Sequence, residues 1–66
     1  MVHKKITVIG SSTDSWEQAA LDAVDRVDAT VENIKWVEVT GRGIELATTE
    51  EPEFQTEVEV AFLVEE

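Results

Sequence analysis

Phe54-Gln55-Thr56-Glu57-Val58-Glu59-Val60-Ala61-Phe62 is the stretch that decides the fold of this chain. Successive residues of a strand point to opposite sides of a sheet, so Phe54, Thr56, Val58, Val60 and Phe62 share one face. Gln55, Glu57, Glu59 and Ala61 share the other. The first set is apolar and needs a partner, which a helix over about Ser15 to Thr30 supplies. On a helical wheel Trp16, Ala19, Ala20, Ala23, Val24, Val27 and Val31 fall within an arc of about 140°, with Glu17, Asp22, Asp25 and Asp28 opposite. Asp14 followed three residues later by Glu17 reads as a capping box, which starts the helix at Asp14. The small side chains of Ala19, Ala20 and Ala23 let it lie close on a sheet.

Two further strands complete the pattern. Val2 to Ile9 is short and rich in β-branched residues, and Gly10-Ser11-Ser12-Thr13-Asp14 breaks it from the helix. Glu32-Asn33 is a second break. Ile34 to about Leu46 reads as a strand, bulged near Gly41 and Gly43. Thr48 to Glu53, with Pro52, is a short polar connection suited to an antiparallel hairpin. The expected class is α+β, with order β-α-β-β: a curled three-stranded antiparallel sheet wrapped on one amphipathic helix, a single domain over residues 1–66. Alternation in the second strand puts Val37 and Val39 in the core and Ile34, Trp36, Glu38 and Thr40 on the uncovered face.

Composition narrows the function. The chain has 66 residues, no cysteine and one histidine, so disulfides, thiol chemistry and a His-based zinc site are excluded. A domain this small buries only about 60% of its unfolded surface, and without a covalent or metal staple it is expected to share its core with copies of itself. Fifteen Asp and Glu against five Lys and Arg give a net charge of -10. Such a chain is repelled by phosphate backbones and anionic lipid, so no nucleic-acid or membrane partner is expected. With neither a signal-peptide core nor a membrane span in evidence, a cytoplasmic location is expected. The acid excess suits a halophilic protein, whose carboxylates are screened within about 3 Å at 1 M salt.

Trp36 is the residue left without cover. An indole displayed among carboxylates needs a partner from outside its own fold. One reading is a dry subunit interface in an acidic scaffold or interaction protein, since Trp is enriched at interfaces. The other is a stacking platform for a planar ligand, with Gln55 offering a donor and an acceptor to a heterocycle's amide–imide edge. The two combine if the ligand is buried between copies. No catalytic constellation is found: His3 has no nucleophile motif beside it, Glu57 and Glu59 are spaced as strand carboxylates, and the glycines form no dinucleotide fingerprint.

The stretches Lys4-Lys5-Ile6-Thr7-Val8-Ile9-Gly10-Ser11-Ser12, Ala19-Ala20-Leu21-Asp22-Ala23-Val24-Asp25-Arg26, Trp36-Val37-Glu38-Val39 and Phe54 to Phe62 together resemble the dodecins, small flavin-binding proteins, along essentially the whole chain. The likeness looks closest to the archaeal branch. It implies a hollow homododecamer of β-α-β-β subunits, with flavins stacked in pairs between tryptophans at two-fold interfaces. Carried onto this chain, the stacking residue is Trp36, with Val37 beside it, and the ring-edge residue is Gln55. Arg42, beside Gly43, looks more like the bacterial branch and would pair with the phosphate of FMN, or be a solvated charge; Glu45 would meet the ribityl hydroxyls. The resemblance implies storage and photoprotective sequestration without turnover, of riboflavin or lumichrome first and FMN or FAD as alternatives. Carboxylates gathered on symmetry axes would draw Mg or Na counter-ions.

Overall fold

A computed structural model describes residues 1–46 and 51–65. Strand β1 (Val2–Ser12) leads to helix α1 (Trp16–Asp28), then β2 (Ile34–Glu45) and β3 (Glu53–Glu65). The sheet has the order β1-β3-β2, and both pairings are antiparallel. The expected β-α-β-β architecture is therefore present, with the alternating β3 at its centre. The polar turn expected over Thr48 to Glu53 lies largely outside the described residues.

The core is as small as the sequence implied. Ala23 and Val27 of α1 meet Val58 and Val60 of β3, with Ile6, Val8, Ala20, Val31, Ile34 and Val37 packed around them, and Ala19 is buried beside Gly10. Full burial of a valine contributes only about 1.5–3 kcal/mol, and an alanine less. Among the described residues Thr56 is the buried polar one, 1% exposed, and its Oγ1 donates to the carbonyl of Trp16 at 2.8 Å. That bond fastens the first turn of α1 to the middle of the sheet and leaves the buried hydroxyl satisfied.

Gly10 sets how closely helix and sheet approach. A Cβ built there would lie 1.9 Å from the carbonyl oxygen of Ala19 and 3.0 Å from the Ala23 Cβ. The residue read as a chain break is in fact a buried strand position, and β1 runs on to Ser12 instead of stopping at Ile9. Only glycine leaves room for the helix backbone.

The helix starts one residue later than the capping box suggested. Ser15 is the N-cap, extended at φ -168, and its Oγ accepts from the Gln18 amide at 3.0 Å. Asp14 belongs to the preceding turn, where its amide donates to Ser12 Oγ at 3.0 Å. At the far end the helix stops at Asp28, because the amides of Thr30 and Val31 both turn back to the Val27 carbonyl. Asn33 follows with φ 63, the left-handed conformation that asparagine tolerates, and marks the break read at Glu32-Asn33.

Two bulges in β2 govern which side chains share a face. Ile34 pairs with Phe62 but Trp36 with Ala61, so one extra residue lies between them. Ile34 consequently packs on the core, not on the uncovered face where simple alternation places it. A second shift separates Val39, opposite Val58, from Gly41, opposite Glu57. The extra residue is Thr40, whose Oγ1 donates to Glu57 Oε2 at 2.8 Å. Beyond it Arg42 joins the helix-side face with Thr56, while Gly41, Gly43 and Glu45 join the outer face.

The sheet outgrows its helix. Thirteen helical residues span about 20 Å and twelve or thirteen strand residues about 40 Å, in a molecule 46 Å long. Val39, which alternation assigns to the core, stays 54% exposed, because it lines an open groove between α1 and β2. Ile44 and Leu46 are exposed further along the same arm.

Candidate functional site

The outer face of the sheet is a ladder of rungs fixed by the register. Reading from β1 through β3 to β2, the rungs are Ser11–Gln55–Gly43, Ile9–Glu57–Gly41, Thr7–Glu59–Glu38 and Lys5–Ala61–Trp36. Trp36 thus stands where expected, on the outer face of an edge strand, and is 51% exposed. Lys5 Nζ lies 4.8 Å from its ring centroid and 3.9 Å from Glu38 Oε1.

At the other end of this face is a shallow depression of about 220 Å³, lined by Ile9, Gly41, Arg42, Gly43, Gln55 and Glu57. Its β2 wall carries glycines, and a Cβ at Gly43 would meet nothing within 4 Å. The bareness therefore serves nothing inside this chain and leaves a flat strip of backbone beside Gln55. The Gln55 carboxamide rests on Ser11, its Nε2 donating to Ser11 Oγ at 3.4 Å. That long bond orients the group while leaving its hydrogen-bonding capacity largely unspent.

Trp36 and Gln55 share the face but do not meet. Ala61, the partner of Trp36, is six residues from Gln55 along β3, a separation of about 20 Å. A three-ring heterocycle is about half that length. One molecule that touches both residue types must take them from two copies of the chain. Alternation along the strands places both on one face; the register sets them at opposite ends of it.

The remaining candidates are dispersed. Val37 pairs with Val60 and packs on the core, so its side chain is on the face away from Trp36. Arg42 stacks its guanidinium 5.3 Å from the Trp16 ring centroid, on the helix side, because the bulge at Thr40 has reversed its direction. Glu45 lies opposite Glu53 on the outer face, one rung beyond Gln55. Among the described residues no group of three or more His, Cys, Asp and Glu is placed to share a metal ion. No helix among them is long and apolar enough to cross a membrane.

A larger groove, about 710 Å³, opens between α1 and β2 and is lined in part by Trp16, Leu21, Val39 and Arg42. The tryptophan there is already engaged. Phe54 meets Trp16 edge-on at 5.0 Å and 72°, Arg42 covers it, and its Nε1 donates to the Gly43 carbonyl at 3.0 Å. Trp16 is a strut joining α1 to β2, not simply a core residue. Among the described residues Trp36 makes no comparable ring contact with another aromatic side chain, and it stays half-exposed on the outer face.

Comparison with known proteins resolves what kind of fold this is. The dodecin family model matches residues 2–65. The chain belongs to the dodecin family. Calcium dodecin of Mycobacterium tuberculosis is 34% identical to it over 61 residues, covering 92% of this chain and 86% of that protein. The crystal structure of that dodecin, described as calcium-chelating with a novel calcium-binding site, superposes with a TM-score of 0.87 at 32% identity, over 98% of this chain and 93% of that one. An arginine-to-alanine variant of the T. thermophilus dodecin gives a TM-score of 0.86 at 31% identity, with 98% and 97% covered. The dodecin of Streptomyces coelicolor gives 0.87 at 28% identity, with 98% and 93% covered.

Proposed function

We propose that this dodecin stores flavin and shields it from light, in a homododecameric shell where the rings stack on Trp36 between copies. The observation that carries the reading is the half-exposed indole on an open sheet edge, with the Gln55 strip about 20 Å away on the same face. Two copies related by a two-fold axis bring the indole of one beside the carboxamide of the other, and the reverse, as an isologous contact requires. The indole supplies dispersion and stacking; Gln55 supplies an acceptor and a donor to the ring edge.

An indole in van der Waals contact with an excited flavin donates an electron faster than the flavin can react with oxygen. Quenching is then the protective act, and no substrate need reach the ring. Riboflavin or lumichrome is the proposed ligand. Arg42, the guanidinium that a phosphate ester would call on, is committed to Trp16 on the opposite side of the sheet. A location in the cytoplasm, where flavin is made and used, accords with this role.

Titration of the purified protein with riboflavin, followed by flavin fluorescence, tests the proposal. Saturable quenching in the wild type and its loss in Trp36→Ala are expected. Quenching unaffected by that substitution would leave Trp36 as a dry interface residue. A second reading, cation binding, is favoured by the calcium-chelating relative and by carboxylates set opposite one another, Glu38 with Glu59 and Glu45 with Glu53. Calorimetry with Ca²⁺ on Trp36→Ala separates it, since a cation site does not need the indole.

A further inference from the structure

We infer that Lys5 is a positioning residue for the stacking site: its ammonium holds the indole face turned toward the sheet and leaves the face beyond the β2 edge to the ligand. The inference rests on the flavin reading above and deepens it. Three observations converge on it.

β2 is one edge strand of the sheet, and Lys5 is on β1, the other edge, with β3 between them. The lysine reaches the ring across Ala61 of the central strand, from the sheet side of the indole, to 4.8 Å from the centroid. Ala61 is only 7% exposed although it belongs to the outer face. It is the smallest side chain on its rung, and its long neighbours, Lys5 and Trp36, close over it. Finally, Glu38 holds the same ammonium at 3.9 Å from two residues further along β2. The head of the lysine is thereby drawn toward β2 by a carboxylate as well as by the ring.

The arrangement has an electronic consequence. A cation against one π-face is attracted by the ring's electron density and stabilises the ring against losing it. Trp36 is accordingly a weaker electron donor to whatever stacks on its other face. Removal of the charge has two separable effects. The ring loses the contact that fixes its orientation, so affinity falls. The ring also becomes easier to oxidise, so the charge-transfer absorption of a stacked flavin moves to longer wavelength. A purely structural role for Lys5 would change the first and not the second.

The experiment is riboflavin titration of the assembled protein carrying Lys5→Met or Lys5→Arg, read by flavin fluorescence and by the absorption spectrum of the complex. Light scattering establishes that each variant has the wild-type assembly size, and Lys5→Gln replaces Lys5→Met if the latter does not assemble. Lys5→Met is expected to bind about 2–5-fold more weakly, with its long-wavelength band displaced to the red. Lys5→Arg keeps the charge and stacks on aromatic faces, so it is expected to restore both properties. Unchanged or tighter binding by Lys5→Met, or weaker binding with an unmoved band, overturns the inference. Riboflavin binding that survives Trp36→Ala overturns the flavin reading itself, and that failure is distinguishable from the first.

Discussion

If the ligand takes its indole from one copy and its carboxamide from another, two inactive variants should rescue each other. The perturbation is a mixed assembly of Trp36→Ala and Gln55→Ala. Within a chain the two positions lie on rungs six residues apart along β3, about 20 Å, so no single ring system bridges them. In an equal mixture each protomer keeps one intact half. A site is whole when the copy offering Trp36 is the Gln55 variant and the copy offering Gln55 is the Trp36 variant, which happens in about one quarter of half-sites. The assay refolds the two variants separately and together, with refolded wild type as reference. Riboflavin quenching is then measured at a concentration that fills the wild type and leaves either variant mostly empty. About a quarter of the wild-type signal is expected above the average of the two variants. A mixture no better than that average would refute the shared site.

Further expectations concern the scaffold. Gly10→Ala places a Cβ 1.9 Å from the Ala19 carbonyl oxygen, which is backbone and cannot rotate away; a loss at or above the upper end of about 1–3 kcal/mol is expected in denaturant unfolding, and a loss below about 0.5 kcal/mol would contradict the close approach. Thr56→Val removes the bond to the Trp16 carbonyl at nearly constant volume, for a loss of about 1 kcal/mol by the same assay. Stability should rise between low and molar salt, because a net charge of -10 and the opposed carboxylates Glu38 and Glu59 repel one another until screened. Equal unfolding midpoints at both salt concentrations would remove charge repulsion as a factor.

The sequence pattern carried the parts of this fold that follow a strict period. Thr56, Val58 and Val60 face the helix and Gln55, Glu57 and Glu59 face away because no bulge interrupts β3 through this stretch. Trp36 to Glu38 was legible for the same reason, whereas Val39 points to the helix side but stays exposed. What alternation could not show was where a residue is added to the strand. The extra residue before Trp36 turned Ile34 inward, and Thr40 turned Arg42 to the helix side, taking it from the outer face to the Trp16 ring. Gly10 was misread because a glycine beside serines signals a turn by composition; the helix backbone pressing on it is visible only in three dimensions. The Lys5 contact is likewise silent in sequence, since it joins residues on strands that are not neighbours in the sheet.

The crystal structure of the protein grown with riboflavin is the most direct test of the account. It should show a flavin ring parallel to the Trp36 indole, on the face away from Lys5, with Gln55 of a second copy at the ring edge. A Trp36 packed dry against a neighbouring chain, with riboflavin absent or bound elsewhere, would contradict it.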